Sequence, residues 1–253
     1  MADFDKVAQV YDATRALRPE VMKRVIEGLS AHLNNCESLL DLGVGTGRYA
    51  DPLRRRGFNV IGVDVSRLMV AKAIEKGFQR LVFADATKLP FTDRSFDSVM
   101  SVHFIHLVED WANALKEIGR VARRQLVSVI EYSTTLGFRV VYTQLREQIG
   151  WPTNRLDGGE KELAKRMRPT HVETLVEYSE EIEANQELLQ FESRLSSATW
   201  GVPDDVHAKI ISRMRQLYQG MRIPRKQTIK LVAWSPEQLL KLSHSNVRKN
   251  PSA

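Results

Sequence analysis

Residues 39–47 read LLDLGVGTG: an apolar run ends in an acid, and glycine then occupies every second position. This stretch constrains the fold most. An apolar run meeting such a turn predicts a buried strand feeding a helix, with a backbone that no Cβ crowds. The rhythm downstream agrees. NVIGVD (59–64), RLVFAD (80–85), SFDSVMSV (95–102) and QLVSVIEY (125–132) read as four further strands. Helical patterns lie between them at about 46–56, from Ser66 to Gly77, and from Trp111 to Arg123. Ser66 is the expected N-cap of the second, with Leu68, Met69, Ala73 and Ile74 on its apolar side. Strands buried on both faces and separated by helices predict an α/β fold with a parallel sheet.

After Tyr132 the rhythm breaks. Residues 136–150 and 161–168 read as helices around a turn-rich stretch, 170–183 as an acidic helix and 186–196 as a strand. A helix over 203–220 and a last strand over 227–235 follow. The two late strands are expected to complete the sheet. The expected organisation is one domain of 1–133 and 169–242 carrying a helical cap insertion of 134–168. Phe138, Tyr142, Trp151 and Trp200 are the aromatic residues that either line an acceptor pocket or pack the cap.

Composition narrows the classes. With 43% hydrophobic and 27% charged residues the chain reads as an ordinary soluble globular protein. No apolar run approaches the roughly 18–20 residues of a bilayer span. The opening residues lack a secretory pattern. The single cysteine, Cys36, excludes a disulfide framework and a multi-cysteine zinc site. A cytoplasmic protein is expected. The net charge of +6 invites a nucleic-acid partner, but the basic residues are scattered and Arg54, Arg55 and Arg56 fall on the solvent side of a helix, so none is expected.

Gly43, Gly45 and Gly47 form G-x-G-x-G, and Arg48 stands where a dinucleotide fingerprint needs its third glycine. Asp41, two residues before the first glycine, suits a cationic ammonium better than a pyrophosphate. Both points favour S-adenosylmethionine (SAM) over a nicotinamide dinucleotide.

DLGVGTGR, GVDVS, ADATKLPFTDRSFDSVMS and ALKEIGRVAR, in that order, resemble the class I SAM-dependent methyltransferases. The likeness is to their small-molecule group (methyltransferase type 11), which includes the ubiquinone/menaquinone-biosynthesis type. It covers roughly residues 37–132. Tyr11 with Arg15 and Arg18 echoes the group's Y-D-x-x-R entrance segment. The resemblance implies a Rossmann-like, seven-stranded, mostly parallel sheet with helices on both faces. It also implies SAM as methyl donor and S-adenosylhomocysteine as product. By the same resemblance Gly43, Gly45 and Gly47 pass the methionine portion, with Asp41 near its ammonium. Asp64, with Val65 beside it, takes the ribose hydroxyls; Asp85 and the Ala86 N–H take the adenine. Ser101 presents backbone to the methionine end, Arg15 neutralises the carboxylate and Tyr11 covers the cofactor. The chain departs from the family before the fifth strand, where RVARRQLVSV lacks Pro-Gly-Gly.

SVHF stands where amino-methylating DNA enzymes carry [DN]-P-P-[YFW], and Cys36 precedes the first strand. Both absences favour a small-molecule acceptor over a base. His103 and His106 follow the fourth strand. His106 and Glu131 are the candidate general bases, with pocket lining as the alternative. A sulfonium methyl is already activated, so alignment alone can supply most of the rate. No third ligand lies near H-x-x-H in sequence, and no metal is expected. The function expected is direct SN2-type methyl transfer from SAM to a small, partly apolar acceptor. Methylation of RNA or another macromolecule, and SAM binding without turnover, are the alternatives. A nicotinamide oxidoreductase ranks last.

Overall fold

The computed structural model describes residues 8–9, 11–12, 17–135, 137–151 and 159–247. Seven strands form one sheet: β1 (Leu39–Leu42), β2 (Val60–Asp64), β3 (Leu81–Phe83), β4 (Phe96–Met100), β5 (Ala122–Ser133), β6 (His171–Glu183) and β7 (Arg222–Trp234). Their order is β3-β2-β1-β4-β5-β7-β6, with β1 to β5 parallel and β7 antiparallel to both neighbours. The chain winds outward from β1 to β3, then returns to β4 on the other side of β1. That reversal opens a crevice at the carboxyl ends of β1 and β4, where open α/β sheets bind ligands. The Rossmann-like architecture is as expected.

Helices cover both faces. On one, α1 (Pro19–His32) buries Val21, Val25, Ile26 and Leu29, and α2 (Ala50–Arg55) buries Leu53, against Val127, Val129 and Leu231. On the other, α4 (Trp111–Val121) buries Ala114, Leu115, Ile118 and Val121 against Leu126, Ile130 and Trp234. Each fully buried aliphatic side chain here contributes about 1.5–3 kcal/mol. Between β2 and β3, α3 (Arg67–Glu75) starts at Ser66, whose hydroxyl accepts from Met69 N–H at 3.2 Å. Of its predicted apolar side only Met69 and Ala73 are buried; Leu68 and Ile74 face water. The missing Pro-Gly-Gly also finds its explanation: Val121 ends α4 and Ala122 begins β5 with no residue between them.

Two predicted elements are reversed. Residues 170–183, expected as an acidic helix, form edge strand β6, and 186–196, expected as a strand, form α7 (Ala184–Glu192). The outer part of β6 alternates strictly, with Tyr178, Glu180 and Ile182 half-buried and Glu177, Ser179, Glu181 and Glu183 exposed. Its acids pair with Arg222, Arg225 and Lys226 of the neighbouring strand β7. In α7, Ala184, Leu188 and Phe191 form one helical stripe.

That stripe joins a third core. Phe138, Val141 and Tyr142 of α5 (Phe138–Gln148) pack with Leu188 and Phe191 of α7 and with Ile210, Ile211 and Met214 of α8 (Asp204–Tyr218). The insertion expected over 134–168 is therefore divided between cores. Its first helix belongs to this helical layer, whereas Leu163 of α6 (Gly159–Arg166) packs into the α4 face of the sheet. Leu195 and Trp200 bridge the layer to Ala8, Tyr11 and Met69. Helix α9 (Pro236–Val247) ends the described chain. Among the described residues no helix is long and apolar enough to cross a membrane.

Candidate functional site

The glycine turn leaves β1 at the topological reversal. Gly43, Gly45 and Gly47 all have positive φ (74°, 54° and 78°), a region costly for residues with a Cβ. At Gly43 a Cβ would also clash with the Phe104 ring. The turn is clamped from two sides. From β2, Asp64 Oδ2 accepts from Gly45 N–H at 2.8 Å, and its Oδ1 accepts from Ser66 N–H at 2.9 Å. From the N-terminal segment, Asp12 accepts from Thr46 Oγ1 at 2.6 Å and pairs with Lys76. Tyr11 is thereby set at the mouth of a recess it shares with Asp41, Gly43, Arg48, Tyr49 and His103.

The electrostatics of the recess are unusual. Burial first, and the Asp64 charge second, push the Asp41 carboxyl up to about 8. Burial also raises the Asp64 carboxyl, partly offset by the Ser66, Gly45 and Val65 N–H groups. Among the described residues, three buried polar atoms at this recess, Arg48 Nε, Arg48 Nη2 and the Tyr49 hydroxyl, have no hydrogen-bond partner. Such atoms are rare in native proteins and expensive to leave unpaired. Two unsatisfied guanidinium N–H donors and a phenol suit a carboxylate; a buried acid beside them suits an ammonium. Together they fit the amino-acid end of SAM.

At the far side of the recess His103 adopts a left-handed backbone (φ 56°), which a histidine holds only at a cost. Its Nε2 lies 3.3 Å from Glu131 Oε1. Burial works against the Glu131 carboxylate, yet the hydrogen bond and charge of His103, with Arg48 and Arg225 beyond, bring its pKa down to about 2. His106 is elsewhere, packed against the backbone of Gly159. The candidate base Glu131 is thus brought to His103, and not to His106.

The remaining predicted residues are dispersed around the crevice. Asp85 lies two residues beyond β3, exposed, and accepts from the Thr87 N–H and hydroxyl at 2.8 Å each; Ala86 beside it is buried. Val65 follows Asp64 and is partly exposed. Ser101 spends its N–H on Val127 O and its hydroxyl on Glu160 Oε1 at 2.9 Å. Arg15 lies outside the described residues. Phe138 and Tyr142 belong to the third core, with the Tyr142 hydroxyl 2.7 Å from His207 Nδ1, and Trp151 is exposed. Trp200 packs with Tyr11.

Sequence reasoning missed Arg48, Tyr49 and Glu160 as site residues. Arg48 counted only as an obstacle to a dinucleotide; an arginine directly behind a glycine turn was itself the available signal. Glu160 is buried and gathers Ser101 Oγ–H and the Phe104 and Ile105 N–H groups on one oxygen. It ties α6 to the loop after β4, and no spacing in the chain announces that contact.

Residues 40–127 match the family described as "Methyltransferase domain". Over 155 residues the chain is 34% identical to the demethylmenaquinone methyltransferase of Streptomyces avermitilis, covering 56% of this chain and 64% of that one. Over 124 residues it is 35% identical to the malonyl-[acyl-carrier protein] O-methyltransferase of Halorhodospira halophila, covering 47% and 42%. The chain thus spans less than two thirds of the length of these relatives. In fold it is similar to the YcgJ protein of Bacillus subtilis, with a TM-score of 0.51, 19% identity, and coverage of 86% of this chain and 99% of that one.

Proposed function

We propose that this chain, whose residues 40–127 match the methyltransferase-domain family, is a class I SAM-dependent methyltransferase that methylates a small, partly apolar acceptor. The observation that carries this reading is the set of orphaned donors on Arg48 and Tyr49 beside the buried acid Asp41. In this reading Asp41 holds the cofactor's ammonium and Arg48 with Tyr49 its carboxylate, in the place first given to Arg15. Gly43, Gly45 and Gly47 let the backbone approach. Asp64 uses the lone pairs left free by Gly45 and Ser66 for the ribose; Asp85 and the Ala86 N–H take the adenine. Tyr11 closes over the cofactor, and the helical layer of α5, α7 and α8 is the cap on the acceptor side.

SAM, when bound, supplies an electrophilic methyl whose bond to sulfur breaks as the acceptor's lone pair attacks. The protein's part is to align the acceptor, exclude water and hold any proton released. Glu131, ionised across the physiological range, orients His103, and the imidazole receives that proton. The similarity to enzymes named for demethylmenaquinone and malonyl-[acyl-carrier protein] methylation supports a small or carrier-linked acceptor over a nucleic acid.

Incubation with methyl-labelled SAM tests this. Label is expected in an extractable quinol, phenol or carboxylic acid from a defined acceptor panel. Label recovered only in added RNA, or none with any acceptor, would overturn the small-molecule reading.

A further inference from the structure

We propose that His32, His171 and Glu173 form a binding site for a divalent transition metal ion, with zinc the best-suited occupant. One ligand-capable atom from each of the three lies within 4.8 Å of the others. The cluster sits far from the glycine turn. His32 is the last residue of α1, and His171 opens β6 opposite Ala233, near the amino ends of the parallel strands.

Two elements, α1 and β6, bring the ligands together. His171 and Glu173 are two apart on an edge strand, so their side chains share a face, and His171 Nε2 lies 3.6 Å from Glu173 Oε2. Across that face the His32 ring stands 4.6 Å from the His171 ring, tilted by 38°. Both β6 side chains are about half exposed, free to rotate by the roughly 1 Å that would bring the donors to the about 3.4 Å separation of a tetrahedral zinc site.

The surroundings are those of a supported ligand. His32 Nε2 lies 3.0 Å from Gln125 Oε1, whose amide nitrogen in turn reaches Ser98 Oγ at 3.3 Å. In this orientation Nε2–H donates to the amide, leaving Nδ1 with its lone pair, the outer-shell arrangement that fixes a metal-binding histidine. The C-terminus of α1, where the helix dipole is negative, adds a field that favours a cation. Two imidazoles and one carboxylate form a borderline donor set with room for water as a fourth ligand, which suits zinc and disfavours calcium or magnesium. A bound ion would clasp the end of α1 to the unpaired edge of the sheet.

The test is calorimetric titration of metal-free protein with zinc chloride, alongside thermal melts with zinc and with chelator. The expected result is one zinc per chain, with a raised melting temperature that chelator reverses. His171→Ala and His32→Ala, whose folding is checked by circular dichroism, should lose both effects, and Gln125→Ala should bind about tenfold more weakly. Saturable binding that survives His171→Ala but disappears in His103→Ala would place the ion elsewhere and overturn the proposal. So would the absence of saturable binding.

Discussion

Gly45 N–H donates to Asp64 Oδ2 at 2.8 Å, so the acid that closes β2 holds the middle of the glycine turn in its left-handed conformation. In the proposed site Asp64 therefore serves fold and ligand together. Asp64→Ala is expected to lower SAM affinity by about 1–3 kcal/mol, the cost of leaving polar groups unpaired, and to lower the melting temperature of the ligand-free protein as well. Titration and melting of the same preparation check both. Unchanged SAM affinity would remove Asp64 from the ribose site.

In the proposed site Asp41 makes ligand binding a proton-linked event. Its folded pKa, raised to about 8, leaves it mostly protonated at pH 7, and pairing with an ammonium demands the carboxylate. SAM binding is expected to release a proton at pH 7, read by calorimetry in buffers of different ionisation heats. Affinity should rise about tenfold per pH unit as pH approaches 8 from below; loss of the ligand's own ammonium limits it above that. Because the folded pKa lies above the unfolded value, this group's contribution to stability falls as pH rises from about 4 to about 8. Asp41→Asn should then stabilise the free protein at pH 8 while weakening SAM binding.

Glu131, with its pKa near about 2, does not titrate between pH 5 and 9, so no limb of the pH–rate profile in that range should belong to it. Glu131→Gln is expected to lower kcat by about 10²-fold with SAM affinity kept. His103→Gly removes the proton acceptor that Glu131 orients and relieves about 1–2 kcal/mol of backbone strain. It should lower kcat without lowering the melting temperature. Full kcat in both variants would mean that alignment alone drives the transfer.

Glu160 is the structural counterpart. Glu160→Ala leaves the Ser101 hydroxyl and the Phe104 and Ile105 N–H groups without their acceptor, a cost of about 1–3 kcal/mol for a buried group. A clear drop in melting temperature is expected, with Glu160→Gln, which keeps one carbonyl oxygen, in between. Equal stability of all three proteins would show that the α6 contact is unimportant.

The first five strands and the glycine turn were legible because their information is local: β-branched runs, a capping serine, and glycines where φ must be positive. The edge strand β6 was not. HVETLVEYSEEIE is rich in helix-forming glutamate, and its identity as a strand depends on cations about 45 residues away on β7. The site divides in the same way. Asp41 and the glycines stand in one short motif and Asp64 in the next block, at the end of its own strand, whereas His103 meets Glu131 across 28 residues and Glu160 meets Ser101 across 59. Contacts closed by the fold leave no spacing to read.

In the proposed site the recess behind LLDLGVGTG accepts the amino-acid end of SAM. Calorimetric titration of the wild type and of Arg48→Ala with SAM, S-adenosylhomocysteine and NAD tests it directly. Saturable 1:1 binding of both adenosyl ligands is expected, with a marked loss of both in Arg48→Ala and no binding of NAD. Binding of NAD alone, or equal SAM affinity in the two proteins, would contradict it.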